Sequence, residues 1–269
     1  MTFPQPSREF HWTQEAWGPA LRCTPMLECA PHVFTTRTLV LTGVPDEPAA
    51  AWALVAAAVG VSAEHLVRLR QVHGARVVEA VRSAGLTPHE DWPEADISIS
   101  DDPLMGLVVR VADCVPVLVA DPRTGAVAAV HAGWRGTSAG AALAAVAALG
   151  RTYGARPTDL KAAIGPSIGP CCYAVGPELI DLLSSHAESP AWFIRDGALR
   201  LDLWRATRDQ LLRAGLADEN IHTSGLCTAC HTDLFCSYRR ERDKTGRMVG
   251  AIRAPDRTAG HSGLAMRDS

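Results

Sequence analysis

Three short stretches of this 269-residue chain carry donors that could hold a catalytic metal: Gln71-Val72-His73-Gly74, Ala112-Asp113-Cys114 and His131-Ala132-Gly133-Trp134-Arg135-Gly136. Zinc that does chemistry takes three nitrogen or sulfur ligands and keeps a fourth position open, which two imidazoles and one thiolate satisfy. The same residues also suit metal-free chemistry, with Cys114 as nucleophile and His131 as base. Asp113 is either a structural hydrogen-bond acceptor facing away from Cys114 or, on an irregular strand, a general base.

The elements that must position these residues read as a hairpin. Val111 to Asp121 is β-rich, Pro122-Arg123-Thr124-Gly125 carries turn chemistry, and Ala126 to Val130 returns as a second apolar run. A four-residue loop over 121–124 pairs Ala120 with Gly125 and sets Cys114 opposite His131, with Cβ atoms about 5 Å apart on one face. A slip of one residue would send the two ligands to opposite faces. Pro116 inside the first run implies an edge strand or a local irregularity. Beyond His131, Thr137 or Ser138 is expected to cap an alanine-rich helix over 139–149, whose free N–H groups could dock an anion together with Arg135 and Arg37.

Elsewhere the pattern predicts a strand over His32 to Leu41 and helices over Pro48 to Val59 and Ser62 to Leu69. A strand follows within RVVEAV, then an acidic loop over 87–96 and strands Ile97–Ser100 and Leu107–Val111. Lys161 to Ile164 reads as a buried strand, 176–186 as a helix, and 203–215 as a helix opened by Asp202. Residues 1–30 and 254–269 read as irregular tails. No repeat or linker divides residues 1–269, so the expectation is a single α/β (α+β) domain with mixed β-sheets flanked by helices.

Composition narrows the function classes. A chain that is 47% hydrophobic can bury a full core, and its net charge of −3 gives no electrostatic basis for nucleic acid or anionic membrane as partner. The N-terminus has no apolar signal core, and the longest apolar run, Ala49 to Ala63, is too short to span a bilayer, so a cytoplasmic location is expected; a monomer is a separate expectation. Its eight cysteines then read as free thiols or metal ligands.

These motifs, with Ile164-Gly165-Pro166-Ser167-Ile168-Gly169-Pro170-Cys171-Cys172-Tyr173-Ala174-Val175-Gly176, Cys236-Ser237-Tyr238-Arg239-Arg240 and Thr245-Gly246-Arg247, resemble the YfiH/YlmD family of laccase-domain, FAMIN-like proteins. The likeness runs from Phe34-Thr35-Thr36-Arg37 to about Ile252. It implies a YfiH-like fold, grouped with cysteine-hydrolase-like toxins, and zinc on His73, Cys114 and His131. It further implies phosphorolysis of purine nucleosides and methylthioadenosine, deamination of adenosine, or a role in editing peptidoglycan precursors. Nucleoside and phosphate would be the partners, with Arg37, Gln71, Arg135, Gly136, Thr137 and Arg247 as candidate contacts. After Arg37 the chain departs from the family, with Thr38-Leu39-Val40-Leu41-Thr42-Gly43 in place of a Gly-Gly-Val-Ser-like turn.

The older polyphenol oxidase label fits the residues less well. Multicopper oxidases need further histidines, commonly as H-x-H pairs, and none of the ten histidines forms one. Copper competes for nitrogen and sulfur donors and could occupy the same set in some preparations. Cys227-Thr228-Ala229-Cys230-His231 matches the haem-attachment pattern, but without an export signal a structural zinc or redox pair is favoured. Cys171-Cys172 is expected to pack near the site without ligating.

Overall fold

Val115, Val117 and Val119 pack on one side of their strand and Leu118 and Ala120 on the other, and both sides are buried. A strand with two apolar faces must lie inside a stack of layers. In the computed structural model, which describes residues 3–39, 41, 48–81 and 92–256, that stack has two six-stranded sheets. The first contains β1 (Phe10–Glu15), β2 (Gly18–Cys23), β3 (His32–Thr35), β4 (Leu66–Val67), β7 (Gly106–Val111) and β14 (Met248–Arg253), in the order β1-β2-β3-β14-β7-β4. The second contains β5 (Val77–Glu79), β6 (Ile97–Ser100), β8 (Val115–Ala120), β9 (Val127–Ala132), β10 (Lys161–Ile164) and β13 (Ile221–Thr223), in the order β13-β10-β8-β9-β6-β5. A separate ribbon pairs β11 (Phe193–Asp196) with β12 (Ala198–Leu201).

Leu107, Val109 and Val111 of β7 meet Leu118, Ala120, Val127 and Ala129 of β8 and β9 in the core between the sheets. The outer face of the first sheet, with Val33, Val108 and Val249, is covered by α2 (Ala49–Val59). The outer face of the second is covered by α4 (Ala141–Tyr153) and α6 (Leu203–Arg213). The alanines of α4 leave little side chain between helix and sheet, so it lies close against β9 and β6. Asp202 opens α6 as expected, accepting the Arg205 N–H at 3.0 Å. The remaining helices, α1 (Thr24–Leu27), α3 (Trp134–Ser138), α5 (Glu178–Leu183) and α7 (Tyr238–Glu241), are single turns or little more. Among the described residues, no helix is long and apolar enough to cross a membrane.

Several expectations are corrected. The described part of residues 1–30, from residue 3 on, is not an irregular tail: β1 and β2 form a hairpin whose outer strand is half-exposed, so its mixed residues show no apolar rhythm. The strand from His32 stops at Thr35, where Thr36 turns its hydroxyl to the Pro19 carbonyl. Ser62 to Leu69 is one 3-10 turn followed by β4, which pairs in parallel with β7. The strand within RVVEAV is limited to β5, and the helix over 176–186 to α5. The acidic loop over 87–96 falls partly, and the tail beyond Asp256 wholly, outside the described residues.

The hairpin itself exists but in another register. Ala120 pairs with Val127 and Pro116 with His131. The reason lies in Asp121, whose carboxylate accepts from the Arg123 N–H and the Thr124 hydroxyl while its backbone pairs with Ala126. Gly125, at φ 77°, completes the turn. The expected pairing is displaced by two residues, and two is the period of the pleat, so Cys114 and His131 keep their common face. Pro116 does not mark an edge, because β8 is central. It lies one residue past the last β8–β10 pair, Val117 with Ile164, where its carbonyl still accepts the Gly165 N–H and the Ser167 hydroxyl meets the Gly165 carbonyl that a Pro116 N–H would otherwise face.

Leu118 is fully buried between the two sheets. Leu118→Ala should lower unfolding free energy by about 2–5 kcal/mol. Guanidinium titration checks this: a smaller midpoint with unchanged slope is expected, and a loss below about 1 kcal/mol would contradict an inter-sheet core at this position.

Candidate metal centre

The candidate ligands lie where the chain passes from one sheet to the other. Val111 to Asp121 is not one strand: β7 belongs to the first sheet and β8 to the second, and Ala112-Asp113-Cys114 is the corner between them. The turn is sharp enough to hold Asp113 at φ 84°. The segment between β4 and β5 makes the same crossing and carries His73 at φ 63°. Left-handed backbone at residues that are not glycine is uncommon and is concentrated at functional sites. His131 sits near the end of β9, facing both crossings.

One carboxylate that sequence reasoning missed fastens these pieces. Asp96, fully buried just before β6, accepts the His131 Nδ1–H at 2.8 Å and the His73 N–H at 2.9 Å on Oδ1. Its Oδ2 accepts the Gly74 N–H at 2.6 Å and the Val72 N–H at 3.3 Å. Burial alone would raise the Asp96 pKa, but the imidazole and the backbone N–H groups of Gly74 and His73 hold it below the ordinary carboxylate range. With Nδ1 bound to Asp96, His131 presents Nε2 on its other side, the arrangement seen for metal-ligating histidines backed by a carboxylate.

His73, Cys114 and His131 bring one donor atom each within 4.8 Å of one another. The two imidazole rings meet edge to face, with centroids 4.9 Å apart. Space for the thiol depends on Gly133, where a Cβ would stand 2.7 Å from the Cys114 Sγ and 3.4 Å from the His73 ring. The donor set therefore fits a soft or borderline divalent ion with one side left toward solvent, where His73 is exposed. Burial would raise the Cys114 thiol and lower the His131 imidazole. Their mutual attraction, with Asp96 behind, reverses both and favours a thiolate–imidazolium pair in the metal-free protein. By contrast, burial pushes the thiol of Cys23 up to about 12, leaving it inert.

The three donors open into a cleft of about 590 Å³, a size suited to a small ligand. Its walls include Arg110, Arg135, Arg239, Arg242 and Arg247, together with Trp134, Tyr173 and Tyr238. Arg135, Arg239 and Arg242 lie over the rings of Trp134, Tyr173 and Tyr238 at 4.3, 5.1 and 5.9 Å from the centroids. Asp113 also lines the cleft, yet its carboxylate is engaged, with Oδ1 accepting the Thr228 hydroxyl and Oδ2 the Arg239 N–H, each at 2.6 Å. It holds the corner in place. Burial, reinforced by the Cys114 charge, raises the Tyr173 hydroxyl to about 12 and keeps it protonated beside the cleft.

Of the candidate contacts, Arg135 and Arg247 reach the cleft. Gln71 does too, but its amide is bound at both ends to the backbone of Arg110, at 2.8 Å each, and so fixes the His73 segment along β7. Arg37 does not line the cleft. It pairs with Glu241 at 2.8 Å and with the Thr232 carbonyl, tying the end of β3 to α7. Gly136 and Thr137 are buried behind His131, not in the cleft wall. The expected helix cap also moves: α3 starts at Trp134 after Gly133, and α4 only at Ala141 after Gly140. Cationic side chains rather than a long helix start therefore make the cleft attractive to anions. Of the arginine run at 239–247, which the sequence left open between a phosphate site and a solvated face, Arg239 and Arg242 line the cleft and Arg240 does not, while Tyr173 and Tyr238 were not singled out, because loops distant in sequence deliver them.

Residues 42–255 match the family model described as multi-copper polyphenol oxidoreductase laccase. Purine nucleoside phosphorylase YlmD of Geobacillus stearothermophilus is 39% identical over 197 residues, covering 70% of this chain and 72% of that protein. A purine nucleoside phosphorylase of Deinococcus radiodurans is 36% identical over 248 residues, covering 87% and 93%. The crystal structure of YlmD from Geobacillus stearothermophilus aligns with a TM-score of 0.82 at 33% identity, over 91% of this chain and 99% of that one. The Bacillus licheniformis protein YfiH aligns with the same score at 29% identity, over 90% and 97%.

Asp96→Asn keeps shape but removes the charge behind His131. It should weaken metal affinity by about 10–100-fold, measured by competition with a chromophoric chelator; unchanged affinity would contradict the role given to Asp96. In metal-free protein, the lowered Cys114 pKa means that alkylation persists at neutral pH and fades on acidification as the thiolate is protonated. Asp96→Asn lets His131 release its proton more easily, so the alkylation profile, followed by peptide mass spectrometry, should move to higher pH.

Proposed function

The chain belongs to the laccase-domain family of YfiH and YlmD proteins, and on that premise we propose that it is a zinc-dependent purine nucleoside phosphorylase. The observation that carries this reading is the meeting, in one cleft, of the His73, Cys114 and His131 donors with several arginines on a chain of net charge −3. Among the described residues, the guanidinium groups of Arg135, Arg239, Arg242 and Arg247 enter no ion pair, which suits them to a phosphate dianion.

His73, Cys114 and His131 would hold the zinc, which supplies Lewis acidity at the cleft wall when bound. Arginines hold phosphate so that one oxygen faces ribose C1′. As the new C1′–O bond forms, the C1′–N9 bond breaks and its electron pair leaves with the purine, which must gain a proton or a hydrogen bond. The Tyr173 hydroxyl, kept protonated, is a donor suited to that base, and the Trp134 and Tyr238 rings offer apolar surface for it. Phosphorolysis of methylthioadenosine and deamination of adenosine belong to the same proposal as further activities of this cleft. Copper oxidase chemistry is disfavoured by the donors: besides this set, the described residues offer one other group suited to a metal, and it contains no histidine.

One observation supports a second reading. Cys114, His131 and Asp96 stand in the order nucleophile, base and orienting carboxylate, as in a cysteine hydrolase that needs no metal. A muramyl-peptide precursor would then be a candidate substrate.

Incubation with inosine and phosphate should release hypoxanthine and ribose 1-phosphate, read by chromatography, and Arg135→Ala should raise KM for phosphate roughly tenfold. Adenosine without phosphate should yield inosine and ammonia. No hypoxanthine above a Cys114→Ala control would sink the phosphorylase reading. Full turnover of a muramyl-peptide precursor after exhaustive chelation would favour the cysteine hydrolase.

A further inference from the structure

Four cysteines that are distant in sequence converge in a second cluster. Cys171 and Cys172 lie in the loop after β10, and Cys227 and Cys230 in the segment leaving β13, yet their Sγ atoms all lie within 4.8 Å of one another. The Cys230 Sγ is 3.5 Å from that of Cys171 and equally 3.5 Å from that of Cys172. No disulfide joins any of them. We propose that Cys171, Cys172, Cys227 and Cys230 bind a structural zinc ion as a tetrathiolate, separate from the His73, Cys114 and His131 centre.

The distances suit one ion. With Zn–S bonds of about 2.3 Å, a tetrahedral set has edges of about 3.8 Å, which lies between the closest separations and the outer limit of this cluster. In an iron–sulfur cluster the thiolates are shared among several irons and spread further apart. The surroundings also suit thiolates. The Gly169 N–H donates to the Cys227 Sγ at 3.2 Å, and the Arg240 Nη2 donates to the Cys172 Sγ at 3.7 Å. Arg240 also donates from Nε to the Ala229 carbonyl at 3.0 Å, inside the Cys227–Cys230 turn, so its positive charge is held against the cluster. A ZnS4 centre carries net negative charge, which this guanidinium partly offsets.

The backbone is already arranged for a clasp. Ser167 bridges to Cys227, with the Ser167 N–H donating to the Leu226 carbonyl and the Thr228 N–H to the Ser167 carbonyl. Cys230 N–H closes the turn onto the Cys227 carbonyl. The loops so joined carry Ile168 and Tyr173 on one side and Tyr238 and Arg239 on the other, all of them in the cleft wall. Thr228, between the two cysteines of the turn, holds Asp113 beside Cys114. The expectation that Cys171 and Cys172 merely pack nearby is thereby replaced, and they supply the partners that Cys227 and Cys230 lacked in sequence.

Elemental analysis of the full-length protein purified under reducing conditions tests this. The unsubstituted protein should hold two zinc equivalents, Cys114→Ala one, Cys230→Ser one, and the double variant none. Loss of metal from Cys230→Ser with full retention in Cys114→Ala would support this site while sinking the zinc centre at Cys114, so the two readings fail separately. If Cys230→Ser does not fold, cobalt exchange into Cys114→Ala gives the answer: a strong thiolate-to-metal charge-transfer band is expected, and its absence overturns the proposal. Equal metal content in the unsubstituted and Cys230→Ser proteins also overturns it. So does iron in place of zinc, or a disulfide from Cys230 to Cys171 or Cys172 with no metal bound.

Discussion

A single buried carboxylate, that of Asp96, organises the centre of this protein. A carboxylate with no exposed surface would be costly if left unpaired, and here it is compensated by four donors drawn from two places. Three are successive backbone N–H groups of the segment between the sheets, so the carboxylate holds His73 in left-handed backbone that it would otherwise avoid. The fourth is the ring of His131. One interaction thus sets the position of one candidate ligand and the tautomer of another.

The rest of the architecture serves that arrangement. Two stacked sheets joined by several crossings create corners, and three of these, after β4, β7 and β13, supply the site. Each corner is held by a polar group rather than by apolar packing: Gln71 on the Arg110 backbone, Asp113 on Thr228 and Arg239, and Asp96 on the His73 segment. The apolar layers fix the strands, and these polar fasteners fix where the strands end.

Much of this was legible in the sequence. The α/β class, the strands at 97–100 and 161–164, the helix opened by Asp202 and the three candidate donors His73, Cys114 and His131 all follow from local pattern or family likeness. What escaped has a common cause. Asp96 lies 35 residues from His131 and shares no spacing with it, so only the pairing of β6 with β9 brings them together. The adjacent cysteines at 171–172 and the pair at 227 and 230 were each visible, but their meeting is tertiary. The hairpin was shifted by two residues because Asp121 was read as loop, when its side chain builds the turn from the last paired position. Arg37 was overvalued because a motif gives residue types but not the direction of a side chain.

The polar fasteners have a further effect on how the cleft meets solutes. The cleft wall sets Arg135, Arg239, Arg242 and Arg247 against the one carboxylate of Asp113, which is held by the Thr228 hydroxyl and the Arg239 N–H and forms no ion pair with them. A locally positive hollow therefore persists on a molecule whose net charge is negative. Such a field gathers anions from beyond contact distance, but over a range of about 8 Å at physiological ionic strength, since mobile ions screen it. Capture of an anionic solute would then slow as salt rises, while the buried hydrogen bonds around Asp96, shielded from those ions, would keep the ligand geometry unchanged.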